Sequence, residues 1–150
     1  MGEENAVYPN YSFKLEGLKG AESGLKFYKT DLPTSTVEVT GVKAWDGQGK
    51  PSPLAGGGHQ QKWNPINMTR YMDESTALWD WFKEVSEKGA TSDTRQEPTI
   101  TCLNNDQPLF MWKLMEAVAT GYSQNAADAH SSSLLEETVT ISFTGAELTR

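Results

Sequence analysis

Hydrophobic and polar positions recur with a helical period in one stretch of the chain, residues 75–88. At about 100° per residue, the apolar side chains cover roughly 160° of the helix surface, and the charged side chains cover the rest. Asp73 or Ser75 can cap the start by accepting a backbone N–H bond, and Gly89 can end the helix in a left-handed conformation. The apolar positions are Leu78, Trp79, Trp81, Phe82 and Val85.

Trp79 and Trp81 lie at opposite edges of this apolar arc. In one interpretation, both are oversized anchors of a helix that lies on a small core. In the other, one tryptophan edge meets a neighbouring subunit, because aromatic residues are enriched at subunit interfaces. The pattern leaves both interpretations open.

Alternation with a period of two predicts strands elsewhere in the chain. The predicted strands lie at residues 11–16, 25–28, 36–44, 59–70, 99–103 and 138–144, and a slip in phase at Gly41 is typical of a β-bulge. The last strand is the clearest, since one face is apolar and the other consists of short hydroxylated side chains. Its apolar face is Val139, Ile141 and Phe143, and its polar face is Thr138, Thr140, Ser142 and Thr144.

For two further segments, amino-acid composition is more informative about structure than hydrophobic periodicity. Residues 45–58 are rich in Gly, Pro, Ser and Gln, which predicts a long loop or extended arm at about 45–60. Residues 109–119 contain strong helix formers, but they are also apolar on both faces, as in a strand that is buried on both sides. Periodicity does not decide between helix and strand for this segment.

Length and charge narrow the possible functions. A chain of 150 residues is typical of one domain, here residues 1–150, and can bury a core without disulfides. The net charge of −7 argues against specific nucleic-acid binding, which needs a basic face. The acidic, polar start does not resemble a signal peptide, and no apolar run is long enough to anchor the chain in a membrane. We therefore expect a protein made in the cytoplasm.

No group of residues forms a convincing catalytic, cofactor or metal site. Gly56–Gly57–Gly58 lacks the Gly-Lys-Ser/Thr that a phosphate loop requires, and His59 and His130 have no close-spaced partners for zinc. Cys102 is in phase with Ile100 and fits a small core residue. Asp73, Glu74 and Asp80 are explained by capping and solvent exposure. The sequence therefore predicts that the protein is not an enzyme and binds no cofactor.

Three stretches together resemble the tail tube protein family of contractile phages and phage-like contractile injection systems. They are NYSFKLEGL at residues 10–18, ALWDWFKEVSEKG at 77–89 and LLEETVTISFTGAEL at 134–148. The order and spacing of the three match the family, and the helical middle motif is the most specific. FMWKLMEAVATGYSQ at residues 110–124 falls where the family has a tryptophan-containing strand, so the resemblance favours a strand for the ambiguous segment.

The resemblance implies a mainly β fold, a β-barrel or two-sheet sandwich with one α-helix packed outside, similar to the type VI secretion tube protein. It implies homohexameric rings that stack into a hollow inner tube. A contractile sheath protein would surround the tube, and baseplate or tube-initiator proteins would start it. After assembly in the cytoplasm, the chain would become part of a phage tail or injection particle, with cargo as a further possible partner in the lumen.

On this resemblance, Thr138, Thr140, Ser142 and Thr144 would face the lumen, and Trp45, Leu54, Trp79 and Trp81 would be candidate interface residues. Six copies of a chain of net charge −7 would carry −42 per ring, which would repel DNA from the wall. The segments at 21–39 and 45–75 depart from the family, with only Ser23-Gly24-Leu25 clearly kept in the first and an echo at residues 67–70 in the second. These departures leave open two roles, the bulk tube subunit and a baseplate tube initiator.

Overall fold

A computed structural model describes residues 11–39, 59–125 and 134–150 of the chain. Within them lie eleven strands and one helix, and they fall into two compact units, residues 34–64 and the remainder. In chain order the elements are β1 Tyr11–Glu16, β2 Leu25–Phe27, β3 Lys29–Thr30, β4 Ser35–Val39, β5 His59–Trp63, β6 Ile66–Tyr71, α1 Ala77–Lys88, β7 Thr99–Asn104, β8 Gln107–Met115, β9 Val118–Gln124, β10 Glu136–Ser142 and β11 Gly145–Thr149.

The larger unit is built from two antiparallel sheets. Two pairs of consecutive strands, β8 with β9 and β10 with β11, pass from one sheet into the other. The four-stranded sheet has the order β9-β10-β6-β3, and the five-stranded sheet has the order β11-β8-β7-β1-β2. The ribbon of β8 and β9 against β10 and β11 bends from one sheet into the other without a change of register, since Met115 pairs with Gly145 and Val118 with Ser142. Only Tyr28 separates β2 from β3, which join the opposite edges. The result is a barrel-like two-sheet sandwich. The smaller unit is the β4–β5 hairpin.

The core lies between the inward faces of the two sheets. The predicted phase of the last strand is confirmed, because Val139 and Ile141 are fully buried and Phe143 is 8% exposed. In β1, Leu15 is fully buried, but Tyr11 at the other end of the same face is 50% exposed. Alternation therefore identifies the inward face correctly, although it does not show how far the core extends along it.

The helix α1 runs from Ala77 to Lys88, two residues shorter at its start than the pattern predicts. Thr76 precedes it and makes no capping bond with its side chain, whereas Ser75 Oγ accepts a bond from the Ala77 N–H at 3.3 Å. Gly89 ends the helix with φ 76° and ψ −172°, a conformation that glycine adopts readily, and its N–H donates to Val85. α1 packs mainly on β9. Among the described residues, no helix is both long and apolar enough to span a membrane.

The ambiguous segment forms strands, as the family resemblance implies. Most of it is β8, which pairs with β7 on one side and β11 on the other. The chain then turns the corner at Glu116, which has φ 50°, and continues as β9. Gln96 and Ala117 exchange backbone hydrogen bonds of 2.9 and 2.8 Å at this corner. Pairing along both edges satisfies the backbone of this segment and outweighs the helical preference of its residues.

A tight turn of two residues joins β7 to β8. Its central residues, Asn105 and Asp106, have φ values of 53° and 66°, as a two-residue hairpin of type I′ requires. The arm predicted at about 45–60 lies almost wholly outside the described residues, as do the bulge predicted at Gly41 and the candidate residues Trp45 and Leu54. The last two positions of that arm, residues 59 and 60, begin β5.

Candidate assembly surfaces

Uncharged polar side chains form the centre of the outward face of the four-stranded sheet, and we call this part the hydroxyl face. Thr138 and Thr69 are 2.9 Å apart through their hydroxyls, Thr140 donates to Asn67 at 2.7 Å, and the hydroxyls of Ser142 and Thr120 are 3.2 Å apart. These cross-strand bonds hold the polar groups against the sheet instead of leaving them free to bind other molecules. The face consists of Asn67, Thr69, Thr120, Thr138, Thr140 and Ser142.

Thr144, the fourth predicted lumen residue, is placed differently from the other three. It lies beyond the end of β10, at the corner between the sheets, where it is exposed. Its hydroxyl is 3.3 Å from both the Met115 carbonyl oxygen and a Glu116 carboxylate oxygen. The structure therefore brings Thr138, Thr140 and Ser142 onto one face and leaves Thr144 at its margin.

One end of the hydroxyl face is bounded by an aromatic pair. The rings of Tyr28 and Tyr71 stack with their centroids 4.5 Å apart, and the Tyr28 hydroxyl donates to Glu136. This bond to a carboxylate raises the pKa of Tyr28 to about 12. Charged side chains flank the hydroxyl face, because Lys29 on β3 pairs with Thr69 and Glu136 on β10 is in phase with Thr138.

The two helix tryptophans have different environments. Trp81 is 3% exposed, and its indole N–H donates to the Thr94 carbonyl oxygen at 2.9 Å. Trp81 is therefore a core anchor of the single chain, and the expectation that it offers a surface to a neighbour is corrected. Trp79 is 42% exposed and packs against Phe82 and Tyr122, with ring centroids 6.0 and 5.4 Å away. Trp79 thus remains a candidate for contact between subunits.

Trp79, Phe82 and Tyr122 form an aromatic cluster. A buried ionic network contacts this cluster through Tyr122, and the sequence analysis did not predict it. Arg70 is 3% exposed and Glu137 is 2% exposed, and they form an ion pair of 2.6 Å. Arg70 also pairs with Asp73 at 2.7 Å, and the Tyr122 hydroxyl donates to Glu137 at 2.5 Å. A signal was present, because Arg70 is in phase with buried Met68 on β6, and Glu137 is in phase with Val139 on β10. Opposite charges at inward positions of two strands predict such a pair once the strands are known to be neighbours.

The network favours the charged forms of Arg70 and Asp73 and the neutral form of Tyr122. Burial alone would lower the pKa of Arg70, but its hydrogen bonds to Asp73 and Glu137 raise it above the ordinary value. The bond from Arg70, together with one from the Ser75 N–H, lowers the pKa of the Asp73 carboxyl. Burial, and then the bond to Glu137, raise the pKa of Tyr122. At neutral pH the Arg70 guanidinium and the Asp73 carboxylate are therefore charged, and the Tyr122 phenol is neutral.

A cavity of about 330 Å³ opens beside this network, and we call it the Trp79 cavity. It lies between the segment that leads into α1 and the ends of β9 and β10. Its walls combine aromatic faces with carboxylate oxygens. The main lining residues are Met72, Asp73, Thr76, Trp79, Tyr122 and Glu137.

Among the described residues, those considered for chemistry do not assemble into a site. Cys102 is 4% exposed within β7, and burial raises the pKa of its thiol. Thr76 donates to the Asp80 carboxylate at 2.9 Å, which fits a role at the start of the helix. In the part of the chain that the structure describes, no group of three or more His, Cys, Asp or Glu side chains is arranged to hold a metal ion. His130 lies outside this part, and only the backbone of His59 is within it.

Solved structures with this fold include components of contractile particles. A chain of the anti-feeding prophage baseplate matches with a TM-score of 0.64 and 17% identity, over 99% of this chain and 97% of that chain. A chain of the sheath–tube complex of the extracellular contractile injection system PVC, in its extended state, matches with a TM-score of 0.58 and 15% identity, over 99% and 98%. Hcp1 from Flavobacterium johnsoniae matches with a TM-score of 0.54 and 20% identity, over 91% of this chain and 93% of that chain. The fold is therefore of the injection-tube and Hcp type.

The family follows from the sequence itself. The family model of the T4-like virus tail tube protein gp19 matches residues 9–147, so the chain belongs to this tail tube family. The resemblance found in the three sequence motifs is confirmed. Proteins of this family and fold are structural tube proteins of phage tails and contractile injection systems, not enzymes. A comparison with curated protein sequences found no match.

Proposed function

We propose that this chain is the inner tube subunit of a phage tail or a contractile injection system. Six copies form a ring, the rings stack into a hollow tube, and a contracting sheath drives the tube forward. The family match over residues 9–147 carries this proposal. The likeness to a chain of the PVC sheath–tube complex supports it, since both chains are covered almost completely. The sheath protein and the baseplate proteins are the partners, and assembly begins in the cytoplasm.

The hydroxyl face is our candidate for the lumen wall, with Thr138, Thr140 and Ser142 at its centre and Thr144 at its margin. A wall that transports cargo must neither grip it nor block it. Thr140 already donates its hydroxyl proton to Asn67, so that hydroxyl can only accept a hydrogen bond from a passing molecule. At the centre of this wall low adhesion comes from polar groups that bond to one another, while Lys29 and Glu136 at its margins carry opposite charges.

The contacts between subunits are proposed at Trp79 and at the arm that contains Trp45 and Leu54. A ring with cyclic symmetry uses head-to-tail contacts, so each copy needs two different complementary patches. Trp79 supplies exposed aromatic surface for one of them. Trp81 is left out of this set, because its ring is already enclosed by its own chain.

A second candidate function is a baseplate tube initiator, present in few copies per particle. The match to a chain of the anti-feeding prophage baseplate favours it, since that likeness has a TM-score of 0.64 and covers 99% of this chain. The two functions differ in self-assembly. A bulk subunit forms rings or tubes unaided, whereas an initiator needs other baseplate proteins.

Negative-stain electron microscopy of the purified protein, together with light scattering, tests the proposal. Six-fold rings or tubes, with a particle mass that is a multiple of six chains, are the expected result. A monomer over the whole accessible concentration range contradicts the bulk-tube function. In that case, ring formation only on addition of baseplate proteins from the same host would establish the initiator function.

A further inference from the structure

The Trp79 cavity has walls that suit a positively charged group. The rings of Trp79 and Tyr122 pack against each other with centroids 5.4 Å apart and a tilt of 57°, and both line the cavity. The faces of aromatic rings carry negative partial charge and attract a cation that lies within about 6 Å of the ring centroid, and tryptophan is the strongest such partner. The exposure of Trp79, at 42%, leaves this attraction available to an incoming group.

The ionic network adds a net negative charge beside these rings. The carboxylates of Asp73 and Glu137 both line the cavity, and both bind the single guanidinium of Arg70. Two negative charges against one positive charge leave one negative charge uncompensated. The lowered pKa of Asp73 keeps that charge in place at neutral pH. The cavity therefore attracts cations and repels anions.

The same chain carries suitable cations on its surface. Several exposed basic side chains form no ion pair with any carboxylate of the described residues. They are Lys19, Lys26, Lys29, Lys62, Lys83 and Arg150, which makes lysine the more abundant type. A head-to-tail ring requires a receptor on one side of each copy and a complementary group on another.

We propose that the Trp79 cavity receives a lysine side chain from a neighbouring copy of this chain. The inference rests on the proposed ring assembly and assigns one of its contacts to a cation held beside the Trp79–Tyr122 pair and the Asp73 carboxylate. The ammonium group gives up water for aromatic surface and a carboxylate. The long apolar stem of the lysine lies against the ring of Trp79 and the side chain of Met72.

Two variants test the contact by assembly. Trp79→Leu removes the aromatic face, and Asp73→Asn removes the negative charge but leaves the Arg70–Glu137 pair. Trp79→Leu is expected to weaken ring formation roughly 2- to 30-fold per contact, the range that a cation–π interaction spans. Asp73→Asn should weaken it in the same direction, because it removes the Coulombic attraction for the cation. Higher salt should weaken the wild-type ring in the same direction. Glu74→Gln is the matched control, because it removes an adjacent exposed carboxylate that does not line the cavity.

Carbodiimide cross-linking of assembled rings identifies the cation, since the reagent joins a carboxylate to an amine that touches it. Rings mixed from isotope-labelled and unlabelled copies are expected to yield a cross-link from Asp73 to a lysine of the other copy, and Asp73→Asn should abolish it. Rings that form normally in both variants, with no such cross-link, overturn the inference but leave the tube function standing. A wild-type protein that never assembles overturns both.

Discussion

At the scale of single residues, the two helix tryptophans differ in burial because different segments of the chain pack against them. Trp79 and Trp81 are two positions apart and mark the two edges of one apolar arc. Thr94 supplies a carbonyl oxygen for Trp81 from a loop 13 residues away, whereas Trp79 meets only the aromatic cluster and remains exposed. No pattern within the helix could distinguish them, because the difference comes from distant segments.

This difference leads to a prediction about stability. Trp81→Ala should lower the free energy of unfolding by about 3–5 kcal/mol, since it leaves a large cavity and an unpaired carbonyl group. Trp79→Ala should cost less, about 2 kcal/mol, because its ring is already partly in water. Denaturant unfolding of both variants under conditions that keep the protein monomeric measures these values. Equal losses would place both tryptophans in the core.

The buried network gives a second prediction at this scale. Arg70→Met should cost about 3–5 kcal/mol of unfolding free energy, because Glu137 would be left buried without its cation. The double variant Arg70→Met with Glu137→Leu should recover most of that loss, since neither charge then has to be buried. Chemical denaturation of the single and double variants provides the comparison.

An exposed ion pair serves as the reference for that experiment. Lys88→Ala removes the Glu84–Lys88 pair of 3.7 Å on the helix surface, which should cost only about 0.5 kcal/mol. If Arg70→Met costs no more than Lys88→Ala, the network is not a structural requirement of the fold. A double variant that is less stable than Arg70→Met alone would mean that the polar contacts of Glu137 outweigh its burial.

At the scale of elements, local patterns predicted most of the strands and the helix, because these depend on alternation and on turn residues. The segment at 109–119 could not be assigned this way, since its composition suits either structure. The strand structure of this segment is decided by its pairing with β7 and with β11. The residues of β11 lie up to about 40 positions further along the chain. The corner at Glu116 is equally non-local, because it is set by the bridge between Gln96 and Ala117.

The β7–β8 hairpin offers a prediction for a single element. Asp106 has φ 66°, a conformation that glycine adopts without strain and that other residues adopt at a cost. Asp106→Gly should therefore raise the free energy of unfolding by up to about 1 kcal/mol, and Asp106→Ala should lower it by a similar amount. Thermal unfolding of both variants measures the two shifts. Shifts of the same sign would contradict a type I′ turn.

At the scale of the whole molecule, the candidate surfaces are products of topology. Arg70, Asp73, Tyr122 and Glu137 come from three separate parts of the chain, and the pairing of β6, β10 and β9 brings them together. The hydroxyl face was predictable in part, since Thr138, Thr140 and Ser142 alternate with buried residues. The other half of this face is Asn67, Thr69 and Thr120, and predicting it would have required knowledge of the order of the strands. The sequence therefore indicated which residues are polar and which are buried, but not which of them meet.

The division into two units supports a prediction about the arm. Every buried apolar side chain among the described residues belongs to the larger unit, and none lies in residues 34–64. Deleting residues 48–57 should therefore leave the larger unit folded, with little change in its melting temperature, while it prevents rings from stacking into tubes. Thermal unfolding and negative-stain electron microscopy report these two effects separately.

A matched variant separates the length of this segment from its chemistry. Replacing residues 48–57 with a Gly/Ser linker of the same length keeps the chain connectivity but removes Leu54 and the prolines. If stacking depends on side-chain contacts, this variant should form rings without tubes, as the deletion does. If the linker variant forms normal tubes, the segment acts only as a spacer. If the deletion protein unfolds, the larger unit does not fold independently of the arm. Because the core residues all lie in the larger unit, we expect a folded protein that forms single rings in both variants.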